Sequence, residues 1–134
     1  PTIIRKAIQE EPIHIYGTGK NIRDWLFVND HCIAIQTVFE KGILGEVYCV
    51  GSNNEKTNLD LCIAVIQILD KTQPRPNGES YATLITHVTD RLGHDYRYAI
   101  DATKIKNELG WSAQTSFEEA LEITVAHYLN KRNR

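Results

Sequence analysis

The chain has 134 residues, 42% of them hydrophobic and 24% charged, with a formal net charge of −2. A balance this close to neutrality offers no electrostatic footprint for nucleic acid or an anionic membrane surface, so a bound anion must be held by a few placed basic groups. No apolar run approaches the roughly 18 residues of a membrane span, and the cysteines show neither a C-x-x-C spacing nor an even count, which argues against a zinc site or a disulfide framework.

Ile3, Ile4, Ala7 and Ile8 fall on one helical face, with Pro12 as the stop. Ile13 to Tyr16 reads as a short strand, Gly17-Thr18-Gly19 as a turn, and Ile22 to Val28 as a second strand. Asn29 or Asp30 is placed to cap a helix through Ile33, Ala34, Val38 and Phe39 that ends at Gly42. Glu46 to Gly51 has the composition of a strand, and Ser52 to Thr57 that of a polar loop. A helix through Leu59, Cys62, Ile63, Ile66 and Leu69 follows, then the aperiodic stretch Pro74 to Ser80. Ile85 to Thr89 is another strand and Asp90 to Arg97 another polar loop, after which Asp101 caps a short helix ending at Gly110. Ser116 and Glu119 make an S-x-x-E capping box for a last helix with Phe117, Leu121, Val125, Tyr128 and Leu129 on its core side. Cys32, Cys49 and Cys62 each lie in an apolar stretch and are expected as buried, reduced thiols, which points to a cytoplasmic setting. The fold class is α/β, a small mixed domain with no βαβαβ series of its own.

The catalytic inventory is thin. There is no G-x-S-x-G, H-E-x-x-H or P-loop, and Gly17 and Gly19 lack the third glycine and the following helix of a dinucleotide fingerprint. His87, Asp90, His94 and Asp95 match no common zinc spacing. Tyr16 and Lys20 satisfy Y-x-x-x-K, a dyad that works only where a helix brings i and i+4 to one face; the intervening Gly17-Thr18-Gly19 disfavours a helix, so the match is read as coincidence.

Polar loops at strand ends are where α/β proteins hold ligands. Three occur: Tyr16 to Arg23, Ser52 to Asn58 and Asp90 to Arg97. Arg23 and Arg91 suit a diphosphate, because a planar guanidinium donates two parallel hydrogen bonds to phosphate oxygens. Asn58 offers a donor and an acceptor to a ribose or phosphate, or else caps the next helix. Tyr16 either lies against a base or fills core space, and His94, beside Gly93, is either a ligand contact or a solvated side chain.

Taken together these segments resemble one family. Ile15-Tyr16-Gly17 with Ile22-Arg23-Asp24-Trp25-Leu26-Phe27-Val28 is similar to the "IYG…RDWL-V" segment of dTDP-glucose 4,6-dehydratases, extended short-chain dehydrogenases of sugar-nucleotide metabolism. Gly51 with Asn54-Glu55-Lys56-Thr57-Asn58-Leu59 resembles their "G…NEKxNL", and Asp90-Arg91-Leu92-Gly93-His94-Asp95 with Arg97-Tyr98-Ala99-Ile100-Asp101 their "DRPGHDRRYAID". Leu109-Gly110-Trp111 with Phe117-Glu118 resembles the segment leading to their last helix. Two positions depart from the pattern, His14 and Leu92, each where the family has proline and hence a fixed φ.

The resemblance implies a substrate-binding portion of an NAD-dependent lyase, spanning 1–134 as a C-terminal nucleotide-sugar-binding domain. It implies substrate contacts from His14, Ile15, Tyr16, Arg23, Asn58, Asp90, Arg91, Gly93 and His94, with a dTDP-sugar as the ligand. In the family, C4 of the glucose is oxidised by NAD, water is eliminated across C5 and C6, and the hydride returns to C6, giving dTDP-4-keto-6-deoxyglucose for deoxysugars such as rhamnose. The glycine-rich NAD site, a helix-borne Y-x-x-x-K and an acidic pair belong to an N-terminal Rossmann portion. Pro1 is expected to begin just inside the substrate domain, leaving that portion and every catalytic residue outside this sequence, and the full-length protein is expected as a homodimer. The alternatives are the same domain from a UDP-, CDP- or GDP-sugar epimerase or dehydratase, and a freestanding binding module.

Overall fold

The computed structural model describes residues 1–132. In chain order the elements are α1 (Thr2–Ile8), β1 (Ile13–Tyr16), β2 (Ile22–Asp24), α2 (Val28–Lys41), β3 (Glu55–Thr57), α3 (Asn58–Thr72), a 3-10 turn at Tyr81–Leu84, β4 (Ile85–Val88), α4 (Thr103–Leu109) and α5 (Phe117–Arg132). They divide into two compact units: among the described residues, 1–21, 57–96 and 121–132 form the first, 22–56 and 97–120 the second.

In the first unit β1 and β4 run parallel, with Ile13 opposite Ile85 and Tyr16 opposite Val88. Successive residues of a strand face opposite sides, so Ile13 and Ile15 enter the core while His14 and Tyr16 face outward. The core is completed by Ile4 and Ala7 of α1, Cys62, Val65, Ile66 and Leu69 of α3, and Val125 of α5. Helix α1 ends well before Pro12. Glu10 adopts the left-handed conformation (φ 55), and the N–H groups of Glu10 and Glu11 donate to the carbonyls of Ala7 and Lys6, both at 2.9 Å. That is the Schellman closure, here with glutamate where glycine is usual. Helix α3 is capped by Thr57: its Oγ1 accepts the Asp60 N–H at 3.0 Å while the Asp60 carboxylate accepts the Thr57 N–H at 3.3 Å. The aperiodic stretch 74–80 is tied down by Arg75, a buried guanidinium that donates to Thr83 Oγ1 at 2.9 Å and pairs with Glu10 and Glu79.

In the second unit Ala34, Ala102, Ile105, Leu109 and Trp111 form the core. Strand β2 is shorter than its alternating sequence predicts, because Trp25 turns away into a bridge: its N–H meets Asn54 O and its indole N–H meets Lys56 O, each at 3.2 Å. β2 pairs instead with β3, a strand inside the stretch read as a polar loop. Neither Asn29 nor Asp30 caps α2; the cap position is Phe27, with no side-chain bond. Asp30 is buried, and its carboxylate accepts the Thr115 N–H at 3.0 Å, a partner 85 residues away. Glu46 to Gly51 forms no strand, although Tyr48 and Val50 pack on the core and Val47 and Cys49 point to solvent. Cys32 is exposed too, so only Cys62 is a buried thiol. Asp101 Oδ1 accepts the Thr103 N–H at 2.8 Å ahead of α4, and Gly110 ends that helix in the left-handed conformation.

Candidate functional site

Parallel strands place their C-terminal ends, and the loops that leave them, on the same side of the sheet. In the first unit these loops are 17–21 after β1 and 89–96 after β4, and the second of them holds Asp90, Arg91, Gly93 and His94. The β1 turn needs its glycines. Gly19 has φ +71, and a Cβ there would lie 2.7 Å from Ile15 Cγ2 and 2.9 Å from Leu59 Cβ. The turn is fixed at both ends: Gly17 N–H donates to Val88 O at 2.8 Å, and Gly19 O accepts the Leu59 N–H at 3.1 Å.

Tyr16 sits at the mouth of this turn, half-exposed. The Arg91 guanidinium lies 5.3 Å from its ring centroid, and the His94 ring meets it edge-on at 6.3 Å. Among the described residues no carboxylate forms an ion pair with Arg91. Asp90 Oδ1 accepts the Arg91 N–H at 2.8 Å and the His94 Nδ1–H at 2.6 Å. An ionised carboxylate only accepts, so Nδ1 of His94 carries the proton. The hydrogen bond from His94 holds the Asp90 carboxyl below its usual range, with the Arg91 N–H adding to it. The cluster is thus an aromatic face with a guanidinium over it, and a carboxylate committed to its own loop. An aromatic plane with an adjoining guanidinium can take a stacked base and a phosphate.

The other expected contacts are distributed differently. His14 is exposed on β1, whereas Ile15 is 5% exposed as a whole residue, with its side chain in the core. Asn58 does not cap α3, since Thr57 does; its N–H donates to Asn21 O at 3.0 Å, and its side chain makes no hydrogen bond among the described residues. Gly93 takes φ +69, giving the loop the left-handed step between Leu92, fully exposed, and His94. Arg23 belongs to the second unit. There its guanidinium stacks on Tyr98, 4.3 Å from the ring centroid, and donates to Ile22 O at 2.6 Å. Tyr98 and Asp24 are the residues that motif reading passed over. Asp24 accepts N–H bonds from Ser52 at 2.8 Å and Asn54 at 2.9 Å, and a Cβ on Gly51 would fall 2.5 Å from its Oδ2. The shared signal for both was the run of motif letters around them.

The residues present do not fit a dinucleotide cofactor. The Gly17–Gly19 turn leads to β2, so no helix N-terminus opens at it to receive a pyrophosphate. Tyr16 ends a strand, so it and Lys20 do not share a helix face. Among the described residues there is no group of three potential metal ligands and no helix long and apolar enough to cross a membrane. A groove of about 380 Å³ between α1 and α5 is lined by Ile4, Ile8 and Tyr128 among others and shares no residue with the Tyr16 cluster.

Residues 1–124 match the family model described as GDP-mannose 4,6 dehydratase. A dTDP-glucose 4,6-dehydratase of Xanthomonas campestris pv. campestris (strain B100) is 49% identical over 132 residues, covering 98% of this chain and 38% of that protein. The crystal structure of a dTDP-glucose 4,6-dehydratase from Bacillus anthracis str. Ames, in complex with NAD, superposes with a TM-score of 0.85 at 43% identity, over 99% of this chain and 39% of that one. A UDP-glucose 4-epimerase from Thermotoga maritima, solved with UDP-glucose, reaches a TM-score of 0.81 at 28% identity, over 99% and 39% of the two chains. The chain therefore spans under two fifths of the length of these relatives and belongs to the GDP-mannose 4,6 dehydratase family, where it resembles part of the dTDP-glucose 4,6-dehydratases.

Proposed function

We propose that this chain is the nucleotide-sugar-binding part of a dTDP-glucose 4,6-dehydratase, a lyase of deoxysugar biosynthesis that converts dTDP-glucose to dTDP-4-keto-6-deoxyglucose. The observation that carries the reading is the Tyr16–Arg91 pair at the C-terminal ends of β1 and β4, with the guanidinium 5.3 Å from the ring centroid and, among the described residues, no carboxylate in an ion pair with it. In this reading Tyr16 receives the base and Arg91 the diphosphate, with main-chain groups of His14, Ile15 and Gly93 and the Asn58 amide completing the contacts. The resemblance assigns a nucleotide contact to Arg23 of the second unit as well. Redox and elimination chemistry, with NAD, is supplied by a Rossmann portion of the longer protein, a homodimer, so the chain by itself binds and does not turn over.

The test is thermal unfolding of this chain with dTDP, UDP, CDP and GDP at equal concentration. A ligand that binds only the folded state at a hundred times its Kd adds about 2.7 kcal/mol, a shift of several degrees in Tm. dTDP should give the largest shift. A larger shift with UDP would favour the second reading, a domain of a UDP-sugar epimerase, for which the likeness to the UDP-glucose 4-epimerase speaks. No shift with any of the four would overturn nucleotide binding.

A further inference from the structure

We propose that Asn77, in the exposed turn that follows α3, is a site of spontaneous deamidation, and that its conversion loosens the hold of Arg75 on the stretch 74–80. Asn77-Gly78 is the one Asn-Gly step in the sequence, and Asn77, Gly78 and Glu79 are all exposed. Gly78 has φ +75, and a Cβ built on it would meet nothing within 4 Å, so the residue after Asn77 is bare and its surroundings are open. Asn77 Oδ1 accepts the Glu79 N–H at 3.0 Å. The ring closed by that bond encloses the Gly78 peptide, and the bond itself steadies the negative charge that grows on Oδ1 when a nucleophile adds to Cγ. One feature opposes reaction: Gly78 N–H donates to Arg75 O at 3.0 Å and must be released first. A single turn bond of this kind slows the reaction only about fivefold.

In the step proposed, Gly78 N gives its proton to hydroxide and bonds to Asn77 Cγ. The Cγ–Nδ2 bond breaks, Nδ2 takes a proton from water and leaves as ammonia, and a succinimide ring remains. Water then opens the ring. Opening at Cγ gives aspartate at position 77, and opening at the main-chain carbonyl gives isoaspartate. Water is consumed and ammonia released, with no oxidation or reduction.

The charge arrives at a sensitive place. Asn77 Nδ2 donates to Glu79 Oε2 at 3.1 Å, and in the product an oxygen stands where that donor was. Two carboxylates at this distance repel. Glu79 also pairs with Arg75 at 3.3 Å, beside Glu10 at 3.4 Å, and the Arg75 side chain is only 7% exposed. Displacing Glu79 removes an acceptor from a buried guanidinium, which costs more than the same loss at the surface. Arg75 ties the stretch to Glu10 beyond α1 and to Thr83 ahead of β4, so the loosening falls on the first unit. Isoaspartate adds a methylene to the main chain as well, and the bond from Gly78 N–H to Arg75 O loses its register.

The test holds this chain at mildly alkaline pH and follows it by peptide mapping and mass spectrometry, with aspartate and isoaspartate separated by chromatography. Asn77 should convert to a mixture of the two faster than any other asparagine, and within about tenfold of its rate in the urea-unfolded chain. Asn77→Gln, whose ring would be larger by one methylene, should stop reaction at this position. Survival of Asn77 in the folded chain while the unfolded chain converts completely would overturn the site. The consequence is read separately. Asn77→Asp, which carries the charge of the product without the isomerised chain, should lower Tm by about 3 °C. In a Glu79→Gln background the same substitution should lower it by less than about 1 °C, because the repulsion needs both carboxylates. An unchanged Tm, or an equal loss in both backgrounds, overturns the loosening of the Arg75 contacts.

Discussion

In the first unit the alternating segment Ile13–Tyr16 is paired along its length with Ile85–Val88, while in the second unit the segment 46–51 alternates in the same way and is paired with no strand among the described residues. Both segments put every second side chain on a core: Ile13 and Ile15 in one, Tyr48 and Val50 in the other. Alternation thus decides which way side chains face, through the pleat of an extended backbone, but pairing needs a second strand at the right distance. The consequences reach the neighbouring helix. On α2 the positions in phase with Ala34 and Val38 are covered, whereas Val28, Cys32, Ile35 and Phe39, a stripe at helical spacing, remain exposed. The first unit buries the larger core, and the second leaves one face of α2 exposed.

Truncation should expose that contrast most strongly. Leu69 of α3 is fully buried in the first core, and Leu69→Ala should cost about 3 kcal/mol, through lost burial plus the cavity left behind. Phe39 is 90% exposed, and Phe39→Ala should change stability by less than about 0.5 kcal/mol despite removing a larger side chain. Urea denaturation of the two variants measures both. Equal losses would mean that the α2 stripe is covered in solution and that the contrast between the units does not hold.

The thiols give a smaller but sharper readout of the same contrast. At pH 8 Cys32 and Cys49, exposed on the second unit, should react with an aromatic disulfide reagent within seconds to minutes. Cys62, enclosed in the first core with its thiol pushed up to about 11 by burial, should react tens of times more slowly, limited by opening of the fold. Two fast thiols and one slow one is the expected stoichiometry. Three slow thiols would restore the reading that sequence alone suggests.

That reading shows where sequence reasoning holds and where it stops. The positions of β1, β4 and α3 follow from periodicity, all within a few residues, but the cap of α3 is Thr57 with Asp60 and not Asn58, the residue whose type suggested it. Asp30 looks like a cap because Asp at a helix start usually is one; its actual partner, the N–H of Thr115, is 85 residues away and invisible to any local rule. Cys32 fails for a related reason. Its neighbour Ile33 suggested burial, but the helical period places Cys32 in register with Val28, Ile35 and Phe39, on the open face. The site follows the same division. Residue type and the position of the loops at strand ends marked Tyr16 and Arg91, and the structure brings those two together. The burial of His94 against Asp90 depends on the turn at Gly93 and on the contact of Asp90 with Gly17, neither of which its residue type declares.

The smallest effect lies in the second unit, where Asp24 supports the loop at Ser52. Burial by itself would raise the Asp24 carboxyl, but the hydrogen bonds from Ser52, Asn54 and Asn53 outweigh it and hold the group below its usual 3.8. A depressed folded value means that the unfolded chain takes up its proton first as pH falls. The stabilisation is therefore complete above about 3.8, the value of the free side chain, and is lost as pH drops through the lower, folded value. Asp24→Asn removes the charge that the Ser52 and Asn54 N–H groups point at and should cost about 1 kcal/mol at neutral pH. It should also flatten the dependence of stability on pH below 3.8, as read from urea midpoints at successive pH values. If the slope there is the same in the variant, the acid sensitivity of the second unit comes from other carboxylates, and the Asp24–Ser52 bonds hold the loop without being linked to protonation.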